Sequence, residues 1–305
     1  MAINLIEYAA VFQRKLDEQL TGVLTSGWME PNAEQLQYSG GKYIKIPSIL
    51  LQGLGNYDRT KGHPAGAITL AWEQVEMTQD RARKYLLDAN DVDETNFVLS
   101  MGLVLGELQR VHVAPEIDAY RYAKIATLAI AAGNARDYTP AASTILSELQ
   151  NDVALVQDKV GAGEQLVIIM PIPTASMLSQ SSELTRRLDV ATFERGEVKT
   201  TVKGLNGIPI LEVPSDRMYS AITMLDGEAS GEEDGGYEPA AGAKRINWII
   251  TPRRAPIAVA KTDAMRIFDP MTYQGAHAWS GDYSKYHELF LPANRLAAVR
   301  VCTRA

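Results

Sequence analysis

A glycine-rich stretch between two strand-like segments limits the fold of this chain more than any other feature. GLGNYDRTKGHPAG, residues 53–66, contains four glycines, a proline and several charged residues, which is typical of a wide, solvated turn. On either side, YIKIPSILLQ at 43–52 and AITLAWEQVEM at 67–77 have apolar residues near every second position. This spacing and the β-branched content predict two strands joined as a long hairpin.

The hairpin needs support from a surface outside itself. Strands of ~10 residues would reach roughly 33 Å. An isolated two-stranded ribbon of this kind is only marginally stable in water. We therefore expect the hairpin to lie on another surface.

The composition is that of a globular protein and narrows the choice of partners. The 305 residues are 46% hydrophobic and 22% charged, enough for one large domain or two smaller ones. The net charge of −7 argues against a nucleic-acid clamp. The single cysteine, Cys302, excludes an intrachain disulfide and a multi-cysteine metal site, and it fits a reducing compartment.

The N-terminal segment reads as an amphipathic helix, because apolar residues that include Leu16 and Leu20 recur at three- and four-residue steps over residues 1–27. Two interpretations are open: a helix packed on the chain's own core, or an arm packed on a neighbouring subunit. Charged residues interrupt this segment and no apolar run in the chain approaches 18 residues. We therefore expect neither a signal peptide nor a transmembrane helix.

The rest of the chain mixes helices and strands irregularly, which predicts an α+β fold. Helical spacing from Phe97 continues past Pro115 to a stop at Gly133-Asn134, so either two helices abut or one is kinked. The other expected elements are helices at 140–160 and 173–190, a strand at 164–171, a hairpin at 199–214 turning at Asn206-Gly207, an exposed flexible loop at 226–238, strands within 245–260, and a C-terminal strand pair at 285–304.

No catalytic, cofactor-binding or metal-binding residues are predicted. The four histidines are scattered, and none has zinc-type spacing to another histidine or to the cysteine. A serine-hydrolase elbow, a phosphate-binding loop and a dinucleotide fingerprint are all missing. Cys302 fits a small buried residue better than a nucleophile. We therefore expect a protein that is not an enzyme and binds no cofactor.

The order of these features resembles the major capsid proteins of tailed bacteriophages, which have the Hong Kong 97-type fold. The likeness covers nearly the whole chain. It rests on GKYIKIPSI, GLGNYDRTKGHPAGAITLAWEQVEMTQDR, LDANDVDETNF, VHVAPEIDAYRYAKIA, LNGIPILEVPSDRM, INWIITPRRAPIAVAKTDAMRIFDP and YHELFLPANRLAAV, in this order. Each piece is a weak signal, but the collinear set is fairly specific.

The resemblance implies a division of the chain. The expected parts are an N-terminal arm at 1–38, the extended hairpin (E-loop) at 39–82, a peripheral (P) domain with a long spine helix at 83–134, an axial (A) domain at 135–244, and returning P-domain strands with the C-terminal strand pair at 245–305.

The resemblance also implies that the hairpin lies on an adjacent subunit and that its tip touches a third. The residues expected to contact other subunits are Ile44, Ile46, Ile68, Leu70 and Trp72 in the hairpin strands, Asp58, Arg59 and Lys61 at the tip, and Leu16 and Leu20 in the arm.

The implied function is a structural one. Copies of the chain would form pentamers and hexamers in an icosahedral shell that encloses double-stranded DNA with weak contact. A portal would be a partner, and scaffolding would either be a separate protein or not be needed. No membrane would be involved, and the virion would be assembled in the bacterial cytoplasm. Three alternatives stay open: an encapsulin-type nanocompartment shell, a cytosolic enzyme with an unrecognised site, and a phage tail or adhesion subunit.

Overall fold

The computed structural model describes residues 24–36, 41–57, 59–60, 62–63, 65–90, 101–181, 188–195 and 198–305. The strands, in chain order, are β1 (Tyr43–Leu51), β2 (Ile68–Glu76), β3 (Gln79–Asp88), β4 (Ala135–Asp137), β5 (Leu166–Pro171), β6 (Leu188–Arg195), β7 (Val198–Leu205), β8 (Ile208–Val213), β9 (Ile222–Met224), β10 (Tyr237–Pro239), β11 (Ile246–Pro252), β12 (Ile257–Phe268), β13 (Ala278–Phe290) and β14 (Arg300–Thr303). The helices are α1 (Met101–Leu108), α2 (Ala114–Ala131), α3 (Ile145–Val160), α4 (Ile172–Ser179) and α5 (Ala293–Leu296).

A seven-stranded mixed sheet forms the centre of the molecule, with the strand order β4-β14-β11-β5-β8-β7-β6. Residues of α2 pack on one face of this sheet, and residues of α3 and α4 pack on the other. In β5, Val167 and Ile169 point to the α2 side, whereas Ile168 and Met170 point to the opposite side. Burial on both faces explains why this strand is a continuous apolar run.

A separate three-stranded sheet, with the order β12-β13-β3, packs against α1. Met101 and Leu105 of α1 lie directly over Gly281 of β13, where an added Cβ would be 2.4 Å from the Met101 Sδ atom. The glycine therefore permits the close approach of helix and sheet.

The long helix continues through Pro115 by way of a π-helical segment, Gln109–Val113, between α1 and α2. Proline lacks an N–H and crowds the carbonyl four residues earlier, and a π-helical turn relieves this conflict by shifting the hydrogen-bond register. The sequence left open whether two helices abut or one helix is kinked. The structure shows one continuous helix with a π-helical segment before Pro115.

Three sequence predictions are corrected by the structure. The spine helix expected from residue 83 is preceded by β3, which runs to Asp88 because it pairs with β13 along its whole length. The helix expected at 173–190 ends at Ser179, and Leu188–Arg195 forms β6. The expected C-terminal strand pair is wrong, since β13 pairs with β12 and β3 while β14 pairs with β11 and β4.

Other local predictions are confirmed. The hairpin of β7 and β8 turns at Asn206-Gly207, whose φ angles of 53° and 79° are the left-handed values that this turn requires. The helix ends near Gly133, where φ is 72°.

The segment that precedes the hairpin is fixed to α2 by buried polar groups. The fully buried Asp118 carboxylate accepts hydrogen bonds from the backbone N–H groups of Thr25 and Ser26 at 3.0 and 2.9 Å, and from the Thr25 hydroxyl at 2.7 Å. It also pairs with the Arg217 guanidinium at 2.8 Å. One helix turn on, Arg121 donates to the carbonyl of Ser26 and to the carboxylate of Glu30.

Candidate assembly surface

The hairpin of β1 and β2 forms a sheet of its own and exposes an apolar face. Ile68, Leu70 and Trp72 lie at alternate positions of β2 and therefore share that face. Their side chains are 76%, 53% and 58% exposed. Leu51, which is the cross-strand partner of Ile68, is also exposed. This face therefore has no apolar cover within the described part of the chain.

At the base of the hairpin, the opposite face of the ribbon is buried against the body of this chain. Ile44 and Ile46 are 1% and 8% exposed, and they pack with Met77 and with Ile257 and Phe290 of the body. Both isoleucines were predicted to contact a neighbouring subunit. The structure instead assigns them to the core of this chain, because the face they occupy is the one that meets β12 and β13.

The described residues of the hairpin tip are exposed, except for the half-buried Gly62. Arg59 is exposed as expected, and Leu54 and Tyr57 are exposed as well. These two apolar residues were not among the predicted contacts, although a leucine between two glycines in a polar turn indicates an exposed side chain. The other predicted contacts, Asp58, Lys61, Leu16 and Leu20, lie outside the described residues.

The hairpin leaves the body of the protein at Met77 and Thr78, which we call the hinge. The Tyr286 hydroxyl donates to the carbonyl of Met77 at 2.9 Å. The backbone N–H and the hydroxyl of Thr78 both donate to Oε2 of Glu288, at 3.0 and 2.6 Å. The Tyr120 hydroxyl, from α2, donates to the other carboxylate oxygen of Glu288. Side chains of β13 thus form hydrogen bonds with both hinge residues, and a side chain of α2 supports one of them.

Burial shifts the pKa values of two residues near this hinge, Tyr120 and His287. Burial, together with the adjacent Glu288 carboxylate, raises the pKa of Tyr120, so its hydroxyl stays protonated and remains a donor. Burial also holds the pKa of His287 well below its ordinary value of about 6.5, and the positive charges of Arg121, Lys285 and Arg81 act in the same direction. The imidazole of His287 is therefore neutral at pH 7.

We expect His287 to make the folded state sensitive to acid. The unfolded chain takes up a proton at this residue below about pH 6.5, whereas the folded chain resists it, so stability is lost as the pH falls below that value. The difference in the denaturant unfolding midpoint between pH 7.5 and 5.5 should be smaller in His287→Gln than in the wild type. The exposed His277, replaced in His277→Gln, is the control, and an equal reduction in both variants would contradict the assignment.

The acidic, glycine-rich loop at 226–236 is held in place on β3. Arg81 donates to the carbonyls of Leu225 and Gly236 at 2.7 and 3.2 Å, and Arg83 donates to the carbonyl of Glu233 at 2.8 Å. The loop was expected to be flexible, but the structure fixes its backbone at these three carbonyls. It covers a cavity of about 560 Å³ between β3, β13 and the long helix.

Gly227→Ala is expected to loosen this loop. Gly227 has a φ of 78°, and an added Cβ would lie 2.7 Å from Nη1 of Arg83, so the substitution adds a clash to a left-handed backbone cost of about 1–2 kcal/mol. Gly231→Ala is the matched control, because its φ is 91° and nothing lies within 4 Å of the added Cβ. Hydrogen exchange of the loop should rise more in Gly227→Ala, and equal exchange in the two variants would contradict the clash.

Chemistry at the remaining candidate residues is unremarkable. Cys302 is fully buried, and burial raises the pKa of its thiol to about 11, which disfavours the nucleophilic thiolate. Within the described ranges, no group of three or more His, Cys, Asp or Glu side chains is placed to hold a metal ion. No helix in the same ranges is long and apolar enough to cross a membrane.

Sequence comparisons find no relative. No protein-family model matches the chain. No curated protein matches its sequence.

The fold, by contrast, matches solved structures from bacteriophages. A structure from Mycobacterium phage Che8 has a TM-score of 0.57 at 15% identity, with 86% of this chain and 84% of that chain covered. The mature capsid of bacteriophage PhiM1 has a TM-score of 0.58 at 10% identity, with 87% and 82% covered. The capsid of cyanophage P-SCSP1u has a TM-score of 0.54 at 13% identity, with 88% and 85% covered.

These matches extend over most of each chain. The expectation of an α+β fold of the Hong Kong 97 type is thereby confirmed.

Proposed function

We propose that this chain is the major capsid protein of a tailed phage, which self-assembles into the icosahedral shell around the genome. The fold that it shares with phage capsid structures supports this proposal. Its role is structural, and we propose no catalytic activity for it.

The observation that carries the proposal is the uncovered apolar face of the hairpin. Ile68, Leu70 and Trp72 stay exposed on a ribbon that has a core only at its base. A ribbon of this length gains stability when a second surface covers its apolar face. Because copies of one chain supply identical surfaces, a shell provides that cover to every hairpin.

The parts of the fold take the roles that the resemblance implies. We propose that the hairpin is the E-loop, that the long helix and the three-stranded sheet form the P-domain, and that most of the seven-stranded sheet with α3 and α4 forms the A-domain. The segment up to residue 38 belongs to the N-terminal arm. In this arrangement the subunits form pentamers and hexamers.

The partners follow from the same proposal. A portal, a separate scaffolding protein and double-stranded DNA complete the particle, and assembly takes place in the host cytoplasm. The net charge of −7 favours weak contact with the DNA, since like charges repel. The phage origin of the matching capsids supports the phage shell over the nanocompartment alternative.

Negative-stain electron microscopy of the protein, expressed alone and purified by gel filtration, tests the proposal. Closed shells, or rings of five and six subunits, are the expected result. A monodisperse monomer at every protein concentration up to several milligrams per millilitre would contradict self-assembly.

A further inference from the structure

We propose that Glu288 is the positioning residue of the hairpin: its buried carboxylate holds the hinge at Met77 and Thr78, and so sets the direction in which the apolar face is presented. The inference rests on the proposed function, because the hairpin matters only if a neighbouring copy receives it.

The hinge connects β2 to β3 along the chain. Thr78 and the Met77 carbonyl form hydrogen bonds with the body, whereas the Met77 N–H donates to the Lys42 carbonyl at the base of the hairpin at 3.0 Å. Beyond it, β3 is fixed to β13 by continuous strand pairing that begins at Gln79 and His287. Before it, β2 pairs only with β1, and the two strands form a sheet of their own. The two hinge residues, together with the packing of Ile44 and Ile46 on Ile257 and Phe290, therefore set the ribbon relative to the sheet.

Glu288 is well placed to hold this link. Its side chain is fully buried, and both oxygens accept hydrogen bonds. Among the described residues, only Thr78 donates to Oε2, through its backbone N–H and its hydroxyl. Oε1 accepts hydrogen bonds from the Tyr120 hydroxyl and from the backbone N–H of Leu289. The Lys124 ammonium lies 3.8 Å from Oε1.

A buried carboxylate is costly for the fold, so Glu288 is expected to make a contact that an apolar residue could not make. The groups around it compensate for the lost hydration, but an apolar pair of similar volume often stabilises a core equally well or better. The residues that follow on β13, Leu289 and Phe290, are buried and apolar. What the carboxylate adds over such residues is a directed link to the backbone of Thr78.

The length of the hairpin amplifies any change at the hinge. Nine-residue strands extend about 30 Å, so a tilt of about 10° at the base moves the tip by roughly 5 Å. Apolar contacts require heavy atoms within about 4.5 Å. A small tilt is therefore enough to separate Trp72 and its neighbours from a receiving surface.

The test measures hairpin direction and assembly separately. Spin labels at Gly53→Cys near the tip and Leu155→Cys on the body report the distance between them. This distance is measured in chains that also carry Ile68→Ser, Leu70→Ser and Trp72→Ser, so that the protein stays monomeric. Shell yield is measured by gel filtration in chains that keep the apolar face.

Glu288→Gln is the main variant. The amide has only one acceptor oxygen, and its NH₂ group would face Thr78 or Tyr120, which donate to the carboxylate in the wild type. We expect a distance distribution broadened or shifted by several ångströms, and a shell yield at least ~10-fold lower. Thr78→Val and Tyr120→Phe each remove one hydroxyl and keep the carboxylate. They should give smaller changes in the same direction, and they keep the proposal testable if Glu288→Gln does not fold.

Asp152→Asn is the matched control. Asp152 of α3 is a buried carboxylate that accepts a hydrogen bond from Trp248 and pairs with Arg136 and Arg300. Among the described residues, none of these partners belongs to the hinge. Its variant should lose stability but keep the parent distance distribution. An unchanged distribution in all three hinge variants would overturn the inference. A parent protein that stays monomeric, with neither shells nor rings, would overturn the proposed function instead, and the measurement on the monomer would still decide the hinge.

Discussion

Replacing Ile68, Leu70 and Trp72 together with serine should give a folded chain that no longer forms shells. The three side chains are exposed in the single chain, so their removal takes no core contacts away. In a shell, burying each of them would contribute about 1.5–3 kcal/mol, or ~5–9 kcal/mol for the three. That loss weakens each contact more than 10³-fold, since about 1.4 kcal/mol corresponds to a factor of ten. Gel filtration and circular dichroism measure the two outcomes.

The same strand offers a control for this variant. Thr69, Ala71 and Gln74 are exposed on β2 but present no large apolar side chain. Their triple replacement with serine makes the same number of changes and should still assemble. If the apolar triple variant is unfolded as a monomer, or if it assembles normally, our interpretation of the hairpin is wrong.

Asp118→Asn should have the largest effect on stability of any single substitution considered. The carboxylate is fully buried and accepts from two backbone N–H groups and the Thr25 hydroxyl as well as from Arg217. Breaking a buried pair while the other charge stays in place costs about 3–5 kcal/mol. We expect a lower free energy of unfolding by that amount, measured in urea, and easier proteolysis of residues 24–36.

An exposed ion pair provides the comparison for Asp118→Asn. Glu107 pairs with Arg110 at 2.5 Å on the surface of the long helix, where both side chains are 60% exposed. Exposed pairs contribute little, so Glu107→Gln should leave stability nearly unchanged. Similar losses in the two variants would contradict the role of burial.

The parts of the fold that the sequence could predict are local. The strands of the hairpin and the turn at Asn206-Gly207 follow from alternation and turn residues within about 30 positions. The assignment of β3 failed because QDRARKYLLD carries charges on both faces and is a strand only through its pairing with β13, about 200 residues later. The pairing of β14 is equally distant, since its neighbour β4 is more than 160 residues earlier.

In the candidate assembly surface, too, local features could be predicted from the sequence and distant contacts could not. Alternation identifies the residues of both hairpin faces, but it does not tell which face meets the body. For this reason Ile44 and Ile46 were grouped with Ile68 and Trp72, although the structure buries only the first two. Glu288 gave no local signal at all, because its partner Thr78 lies 210 residues away in the sequence.

The position of β14 between β11 and β4 has a consequence for the order of events during synthesis. The hairpin strands at 43–76 leave the ribosome early, but the seven-stranded sheet closes only after residue 303 has emerged. Pairings over such distances form slowly because loop closure precedes the gain from contacts. The hairpin of a growing chain therefore emerges before the seven-stranded sheet of the same chain can be completed.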